Sequence, residues 1–553
     1  MYQYETLFDL IKDRSVSTDK GIYFVSDCRG DKFVSYNSLF KNAAGYLYLM
    51  QSAGLTAGQE VIIQTEDNEK FVYLFWACIL GGLVPVLLSA SANDETFWKI
   101  FNVWKMLDKP SIIMSEKYIV RMKTFLEKNG LSIDVSEIVK NTISLDNFND
   151  TLQEGILHKP NRDSVAVMKF SSGSTGDPKG IVMKQHNLLV NLKGIIHCAE
   201  INKNDTMLNW MTLTHDIGLL IFHVTSIMAG INQIQIPTPL FLRSPDLWME
   251  KAHQYKATIS VSPNFGYIHF IGQIQQKFAK GWDLSHLRII MNGGEPISDD
   301  ICDKFLNMLK EYNLNNTSMF PIYGLSETSV VTFSTPGKKY VAHNVDRRHL
   351  AVGSKIVFVP KDDSNCLTFV DVGYPLECCM VKICDEDGAT LEEGVVGHIK
   401  VCGENVTTGY YKNTNATKQL FSEDGWLNTG DLGFMVNGRL TITGRAKDIV
   451  IVNGQNYYYH DLERILEKVE GVETGGVVVF STQNPVLHKE DIIVYILDKD
   501  GKLDINLIEN KVKRCIMKEL GLEIKRVIPV SMFPRTGSGK IKRNALILQH
   551  KLH

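Results

Sequence analysis

The chain has 553 residues, of which 44% are hydrophobic and 22% are charged, and its formal net charge is −3. This composition is ordinary for a globular protein, and the length leaves room for three or four domains of about 150 residues each. The charge balance argues against a general affinity for nucleic acid.

The ten cysteines form no Cys-x-x-Cys pair, and the N-terminus lacks the basic and apolar regions of a secretory signal. We therefore expect a reducing, cytoplasmic location. Residues 72–90 carry no charge, and this stretch is nearly long enough to span a membrane. Gly81, Gly82 and Pro85 divide this stretch, so we predict a buried helix (72–80) and a buried strand (83–88) rather than stable membrane insertion.

Apolar β-rich segments alternate with helical stretches in the first part of the chain. Helix 69–80 lies among predicted strands at 61–64, 83–88, 111–114, 165–170 and 289–292. Such alternation predicts an α/β fold with a mainly parallel sheet.

The pattern changes near residue 336. Short strands with turns between them are predicted at 352–358, 379–384, 397–402 and 439–443, which indicates a β-rich subdomain over about 336–445.

A compact α+β pattern follows. Leu462, Ile465, Leu466 and Val469 share one helix face, and strands are predicted at 476–480 and 492–497. We therefore predict a large N-terminal domain (1–445) of stacked α/β subdomains plus the β-rich subdomain, followed by a small, mobile α+β C-terminal domain (446–553).

Residues 171–180, Ser-Ser-Gly-Ser-Thr-Gly-Asp-Pro-Lys-Gly, directly follow a predicted strand. Small residues let backbone N–H groups approach an anion, hydroxyls donate, and Lys179 neutralises charge, so the segment is typical of a phosphate site. It does not have the Walker A spacing. A solvated loop explains such a run equally well when it is considered alone.

Four more segments join this loop: 292–296 (Asn-Gly-Gly-Glu-Pro), 323–328 (Tyr-Gly-Leu-Ser-Glu-Thr), 428–433 with 444–448, and 534–540. Each one alone fits a turn or a mobile tail. In this order and spacing they closely resemble the adenylate-forming superfamily of acyl-CoA synthetases, luciferases, peptide-synthetase adenylation domains and fatty acyl-AMP ligases. The resemblance covers nearly the whole chain and implies that a carboxylic acid reacts with ATP, assisted by Mg²⁺, to give acyl-AMP and pyrophosphate.

The resemblance also implies roles for individual residues. Lys179 holds the outer phosphates, Glu327 binds Mg²⁺, and Lys540 acts where charge develops on the reacting groups. The remaining nucleotide-binding candidates are Ser172, Ser174, Thr175 and Gly176 for the outer phosphates, Gly293, Gly294, Tyr323 and Gly324 for adenine, Ser326 and Thr328 for the α-phosphate, Asp431 for the ribose, and Arg445 for ribose or phosphate. The alternative interpretations are that Glu327 is an exposed loop acid and that Lys540 is a solvated tail lysine.

Within the superfamily, Thr214-His215-Asp216-Ile217-Gly218-Leu219, with residues 241–245 and 262–267, resembles the fatty acyl-AMP ligase branch. His215 is expected beside the carboxylate and the α-phosphate, although a structural histidine is the alternative. Asp216 remains available to an amino or hydroxyl group of a modified acyl substrate. The predicted substrate pocket comprises Met211, His215, Asp216, Ile217, Gly218, Phe222, Asn264, Phe265 and Tyr267.

The segment 335–373 is long for the superfamily. In fatty acyl-AMP ligases an insertion here is associated with failure to use free CoA, and an ordinary surface loop is the alternative. The resemblance further implies that the C-terminal domain rotates about a hinge at Lys447.

The expected acceptor is the phosphopantetheine thiol of an acyl carrier protein, or else CoA. The basic end, with Arg535, Lys540, Lys542 and Arg543, suits an acidic carrier protein. Alternatives are an acyl- or aryl-CoA ligase, a freestanding amino-acid-activating domain, and an inactive ligand-binding relative, which the presence of Glu327, Asp431, Arg445 and Lys540 disfavours.

Overall fold

The computed structural model describes residues 4–27, 30–90, 93–107, 110–149, 151–171, 178–274, 281–452, 455–484, 489–535, 541–543 and 545–547. The α-helices in these ranges are α1 (Leu7–Arg14), α2 (Tyr36–Ser52), α3 (Asn68–Gly81), α4 (Asp94–Met106), α5 (Glu116–Lys128), α6 (Ser132–Lys140), α7 (Gln185–Cys198), α8 (Thr225–Ala229), α9 (Thr238–Arg243), α10 (Leu247–Gln254), α11 (Asn264–Ile274), α12 (Asp299–Leu309), α13 (Thr414–Leu420), α14 (Tyr459–Leu466) and α15 (Ile505–Leu520).

The strands in the described ranges are β1 (Gly21–Phe24), β2 (Lys32–Ser35), β3 (Glu60–Gln64), β4 (Val84–Leu87), β5 (Ser111–Met114), β6 (Thr142–Ser144), β7 (Val165–Ser171), β8 (Lys179–Lys184), β9 (Thr206–Asn209), β10 (Asn232–Gln235), β11 (Ile259–Ser262), β12 (Ile289–Asn292), β13 (Met319–Leu325), β14 (Ser329–Phe333), β15 (Ala342–Asp346), β16 (Cys366–Val370), β17 (Tyr374–Pro375), β18 (Cys379–Cys384), β19 (Gly397–Gly403), β20 (Leu427–Val436), β21 (Arg439–Arg445), β22 (Ile449–Val452), β23 (Gln455–Tyr458), β24 (Val477–Asn484), β25 (Lys489–Leu497) and β26 (Ile524–Val530).

Two mainly parallel sheets form the larger part of the molecule. One has the strand order β17-β14-β13-β12-β11-β9-β10-β1-β2, and the other has the order β6-β5-β3-β4-β7-β8. Antiparallel strands occur only toward the edges, as in the β1–β2, β13–β14 and β7–β8 pairs. The predicted α/β class is confirmed, and the carboxyl ends of the parallel strands, where ligands bind in such sheets, include the loops singled out from the sequence.

The uncharged stretch around residue 80 is internal. Helix α3 begins after Asp67, whose side chain accepts hydrogen bonds from Glu69 N and Lys70 N, and it ends at Gly82 in the left-handed conformation (φ 66°). Its residues 71–81 are all buried, as expected for a helix that is apolar on every face. Within the described ranges, every helix is too short or too polar to cross a bilayer.

The β-rich part has a different arrangement from the one predicted. A four-stranded antiparallel sheet, β18-β19-β20-β21, is present as expected. The strand predicted at 352–358 is wrong: the apolar residues there make only isolated bridges, and the hairpin β15–β16 forms on either side of them. Val345, Leu350 and Phe369 of this hairpin region pack with Phe434 and Tyr458 in a small core of their own.

The small C-terminal domain contains the sheet β24-β25-β26, the hairpin β22–β23 and helices α14 and α15. Leu462 and Leu466 of α14 pack against Val479, Val494 and other buried residues in a separate hydrophobic core. The described residues therefore form one large and one small domain, each with its own packed interior.

Candidate active site

A cleft of about 1550 Å³ lies between the large and the small domain. Residues from the motifs at 214–219, 262–267, 292–296, 323–328, 428–433, 444–448 and 534–540 contribute to its wall, whereas none from 171–180 or 241–245 does so among the described residues. The predicted site residues among its lining are His215, Asn264, Phe265, Gly294, Tyr323, Gly324, Ser326, Glu327, Asp431 and Arg445. Segments as distant in sequence as 215 and 445 thus converge on one cavity, which is what a functional site requires.

Asp431 is held between two partners. Tyr323, on β13, donates its hydroxyl proton to Asp431 Oδ2 at 2.6 Å, and Arg445 Nε lies 3.2 Å from Oδ1. The β20–β21 register places Asp431 directly opposite Arg445. Burial, followed by the charge of Asp431, holds the pKa of the Tyr323 hydroxyl well above its usual value. Tyr323 therefore acts as a neutral donor that fixes the carboxylate.

Two glycines allow the backbone to pack closely beside Tyr323. A Cβ on Gly324 would lie 1.9 Å from the carbonyl oxygen of Ser329, and a Cβ on Gly293 would lie 2.6 Å from Ile322 O. Gly294 has a positive φ of 88°, and a Cβ there would approach Ile217 Cδ1 at 3.2 Å. The space available requires glycine at 293 and 324, whereas the positive φ favours glycine at 294.

Glu327 has a partner that sequence reasoning missed. Tyr410 donates its hydroxyl proton to Glu327 Oε1 at 2.9 Å, and Thr407 N donates to the Glu327 backbone oxygen at 2.7 Å. Lys179 Nζ lies 5.2 Å from the centre of the Tyr410 ring. Tyr410 thus brings the predicted metal ligand and the predicted phosphate-binding lysine to one place. The only signal in the sequence is an aromatic pair after Gly409, which is weak.

The described residues contain no group of three or more His, Cys, Asp or Glu side chains able to hold a metal ion. Mg²⁺ does not require such a group, since it usually takes one or two carboxylates and completes its shell with phosphate oxygens and water. The Glu327 carboxylate in the cleft fits such a role. Ser326 also lines the cleft, whereas Thr328 is buried and its hydroxyl lies 3.4 Å from two backbone oxygens.

His215, Asn264 and Phe265 line the far end of the cleft. His215 Nδ1 accepts a hydrogen bond from Ile217 N at 3.3 Å, so in the neutral ring Nε2 carries the proton. A π-helix, Ile217–Val224, follows; such helices are rare and are frequent at functional sites. A Cβ on Gly218 would lie 2.3 Å from Thr212 O, which explains glycine at the start of this helix.

The other predicted pocket residues lie behind this wall. Tyr267 is completely buried and donates its hydroxyl proton to Met291 O at 2.8 Å. Met211, Ile217 and Phe222 are buried in the same hydrophobic core, and Gly218 is also buried.

Asp216 has a cationic partner. Lys169 Nζ on β7 lies 3.0 Å from each carboxylate oxygen of Asp216, and both side chains are nearly buried. A lysine within the apolar run Val-Ala-Val-Met-Lys-Phe was the available signal, and sequence reasoning did not use it.

The small domain reaches into the cleft. The Arg535 guanidinium lies over the Phe265 ring, 5.6 Å from its centre, and burial lowers the pKa of Arg535. Lys542 pairs with Glu95 of the large domain. The described residues do not include Lys540, Ser172, Ser174, Thr175 or Gly176. Arg535 and Ile541, which lie on either side of Lys540 in the sequence, both line the cleft. Lys447 lies in an exposed turn between β21 and β22.

The segment 335–373 contacts both domains. Tyr340 donates a hydrogen bond to Asp299 Oδ1 of α12 at 2.9 Å, and Lys361 pairs with Asp299 at 2.7 Å. Arg464 of α14 donates to Thr368 O at 3.2 Å and to Ile297 O at 3.0 Å. The hairpin is therefore packed against the large domain and also against the first helix of the small one.

Comparison with known proteins identifies the family of the chain. The family model described as AMP-binding enzyme matches residues 13–411. The chain is 29% identical over 526 residues to a 4-hydroxyphenylalkanoate adenylyltransferase of Mycobacterium tuberculosis (strain ATCC 25618 / H37Rv), covering 90% of this chain and 83% of that protein. It is 25% identical over 575 residues to the medium-chain-fatty-acid–[acyl-carrier-protein] ligase JamA of Moorena producens (strain JHB), covering 98% and 94%.

Among solved structures, one from a study of fatty acyl-adenylate ligases from E. coli and L. pneumophila is similar, with a TM-score of 0.90 and 27% sequence identity. The match covers 100% of this chain and 98% of that one.

Proposed function

Because the chain belongs to the AMP-binding enzyme family, we propose that it activates a carboxylic acid with ATP, forming an acyl-adenylate and releasing pyrophosphate. One carboxylate oxygen attacks the α-phosphorus, the bond from phosphorus to the bridging oxygen breaks, and pyrophosphate leaves with that electron pair. This step needs no covalent bond to the protein. The observation that carries the proposal is the meeting of Tyr323, Asp431 and Glu327 in one cleft with His215.

The nucleotide is assigned to the side of the cleft formed by β13 and β20. Asp431, which Tyr323 orients, accepts the ribose hydroxyls, and Arg445 supplies a positive charge beside it. The ring of Tyr323 and the backbone at Gly293 and Gly294 face adenine. Ser326 and Thr328 are assigned to the α-phosphate; Ser326 lines the cleft, whereas Thr328 is buried.

The metal and the outer phosphates are assigned to the Glu327 end. Glu327 would hold Mg²⁺, which neutralises phosphate charge and orients the leaving group when bound. Lys179 and the loop residues Ser172, Ser174, Thr175 and Gly176 are assigned to the β- and γ-phosphates. Tyr410 fixes the Glu327 carboxylate by its 2.9 Å hydrogen bond, so the metal ligand is oriented in advance.

The acid is assigned to the end lined by His215, Asn264 and Phe265. His215 Nε2 can donate a proton to a carboxylate or phosphate oxygen. Residues 446–553 act as a mobile domain about Lys447, and Lys540 supplies positive charge where charge develops at the α-phosphorus. The contacts of Arg535 and Lys542 at the cleft support closure of this domain over the reactants.

The second half-reaction transfers the acyl group to the phosphopantetheine thiol of a carrier protein in trans. The sulfur attacks the acyl carbonyl carbon, the bond from that carbon to the phosphate oxygen breaks, AMP leaves with the electron pair, and the thiol proton passes to solvent. The similarity to JamA supports this acceptor. The contact of Arg464 with the 335–373 segment also supports this acceptor. It links the segment that resembles the insertion of fatty acyl-AMP ligases to the domain that must move. The substrate is then a fatty or modified acyl acid, and the reaction takes place in the cytoplasm.

The test is pyrophosphate release from ATP and Mg²⁺ with a panel of carboxylic acids, followed by addition of CoA or a phosphopantetheinylated carrier protein. We expect release with at least one acyl acid and thioester formation with the carrier protein. Glu327→Gln should reduce release at least tenfold, whereas Glu377→Gln, an exposed acid outside the cleft, should not. Absence of pyrophosphate with every acid contradicts the first step; efficient acyl-CoA formation contradicts the second.

A further inference from the structure

The ion pair between Lys169 and Asp216 joins the two large sheets beside the cleft. Lys169 lies on β7 of the six-stranded sheet, and Asp216 precedes the π-helix that follows β9 of the nine-stranded sheet. Phe170 and His215, the residues next to each partner, both line the cleft. Lys169 and Asp216 themselves are not part of the lining, so the pair lies one residue behind the wall where the acid is assigned.

Both charges are internal and neutralise each other. The Lys169 and Asp216 side chains expose only 8% and 11% of their surface, and Lys169 Nζ lies 3.0 Å from each carboxylate oxygen. It donates a hydrogen bond to Oδ2, while Oδ1 is buried and accepts none from the described residues. A ligand ammonium that paired with this carboxylate would compete with the lysine, and displacing the lysine would leave a buried ammonium without a partner.

The second carboxylate at this end of the cleft is also engaged. Glu295 accepts a hydrogen bond from Phe265 N, and its charge acts favourably on Arg535 of the small domain. An ammonium group beside the reacting carboxylate would therefore lose its hydration without gaining a free negative charge from Asp216 or Glu295, and burying an unpaired charge is costly.

We infer that Lys169 is a specificity-determining residue: by neutralising Asp216 it excludes acids that carry an ammonium group next to the carboxylate. This inference rests on the proposed function and narrows its substrate class to acids without an α-amino group. A purely structural connection between the two sheets is the rival explanation. The two differ in what they predict, since a structural connection affects stability but leaves the preference between related acids unchanged.

The experiment compares acids that differ only by the α-amino group, namely octanoic with 2-aminooctanoic acid and 3-phenylpropionic acid with phenylalanine. The ratio of kcat/KM within each pair is measured from pyrophosphate release. Wild-type protein should favour the acid without the amino group at least tenfold. Lys169→Met, which leaves the Asp216 carboxylate free, should shift the ratio toward the amino acid by about tenfold, which corresponds to about 1.4 kcal/mol.

Two variants serve as controls. Lys169→Arg keeps the positive charge and should keep the wild-type ratio. The double variant K169M/D216L removes both charges and should return the ratio toward wild type, because no carboxylate remains to receive the ammonium. A wild-type protein that activates both members of a pair equally overturns the inference, as does an unchanged ratio in folded Lys169→Met.

Binding gives a second measurement that does not depend on turnover or on a variant. The probes are the sulfamoyl adenosine analogues of the same acids, titrated calorimetrically into the wild-type protein. We expect the analogue without the amino group to bind at least tenfold more tightly. If the two analogues bind with equal affinity, the specificity role of Lys169 is overturned, even when no pyrophosphate is released in the reaction. If binding is selective but no pyrophosphate is released, only the proposed reaction is contradicted.

Discussion

Tyr410 donates its hydroxyl proton to Glu327 across 2.9 Å, although 83 residues separate them in the sequence. The neighbouring Tyr411 donates instead to Glu60, at the start of β3, at 3.1 Å. Adjacent tyrosines thus bind carboxylates attached to different sheets.

This arrangement predicts a defect in Mg²⁺ use for Tyr410→Phe. The substitution removes the donor that orients Glu327, and loss of such a partner typically costs about 10- to 100-fold in metal affinity or activity. A Mg²⁺ titration of pyrophosphate release measures the effect. Tyr411→Phe removes a similar hydroxyl outside the proposed metal site and should leave the Mg²⁺ dependence unchanged; equal titrations for both variants would contradict the orienting role of Tyr410.

A second prediction concerns Tyr323. Its hydroxyl supplies a hydrogen bond to the largely buried Asp431 carboxylate, and hydrogen bonds to charged groups contribute about 1.5–3 kcal/mol. Tyr323→Phe should therefore raise the KM for ATP by about tenfold or more, while kcat changes less. Tyr340→Phe removes a buried hydroxyl that binds Asp299 outside the cleft, so it should lower stability without changing the KM for ATP.

Gly324→Ala should destabilise the protein. Its Cβ would lie 1.9 Å from the backbone oxygen of Ser329, and backbone in a paired strand cannot move away readily. Overpacking of this kind costs about 1–3 kcal/mol, which chemical denaturation can measure. Gly281→Ala is the matched control, since a Cβ there meets nothing within 4 Å and the backbone is not left-handed. Equal stability of the two variants would show that the β13–β14 turn adapts.

The buried carboxylate of Asp461 predicts an unusual dependence of folding stability on pH. Its carboxylate is 4% exposed, and neither oxygen accepts a hydrogen bond from the described residues. Burial raises its pKa from 3.8 to about 6, despite the opposing charges of Arg464 and Arg347. The unfolded chain ionises first as pH rises above about 4, so this group destabilises the fold progressively between about pH 4 and pH 6 and fully above that range.

Asp461→Asn should therefore increase stability above pH 6, by at most about 3 kcal/mol, and have little effect below pH 4. Denaturant titrations at several pH values measure this difference. Burial also lowers the pKa of the adjacent His460 to about 3, so this group makes the fold less stable as pH falls below 6.5. Because that trend is opposite to the one from Asp461, the variant must be compared with wild type at each pH. The pKa of Asp424 is lowered to about 2, chiefly by Lys382, and Asp424→Asn should instead reduce stability above pH 4. A loss of stability in Asp461→Asn at pH 8 would contradict the assignment.

Much of the fold follows from local pattern. The strand predicted at 111–114 and the helix predicted at 69–80 agree with β5 and α3 to within a residue at each end, because both are continuous apolar segments bounded by polar residues or glycine. The error at 352–358 has a physical origin. Ile356, Val357 and Phe358 are apolar, but Val357 and Phe358 are exposed. The flanking residues 342–346 and 366–370 form the paired strands instead.

The partners within the site could not be predicted in the same way. Tyr323, Glu327 and Asp431 were found because each lies in a short recognisable motif. Tyr410 and Lys169 lie outside such motifs, and their roles depend on contacts with Glu327 and Asp216 that only the folded chain creates. A lysine within an apolar strand indicates a buried partner, but periodicity alone does not identify that partner.

The paired tyrosines also have a consequence for biosynthesis. Glu60 and Glu327 emerge from the ribosome well before Tyr410 and Tyr411, and the Tyr411–Glu60 contact spans 351 residues. A nascent chain that stops before residue 410 can form much of both sheets, yet it lacks both hydrogen bonds and the Asp431 carboxylate. Nucleotide binding would then begin only late in synthesis. It would indicate that the large domain is complete, and not merely that one of the two sheets has formed.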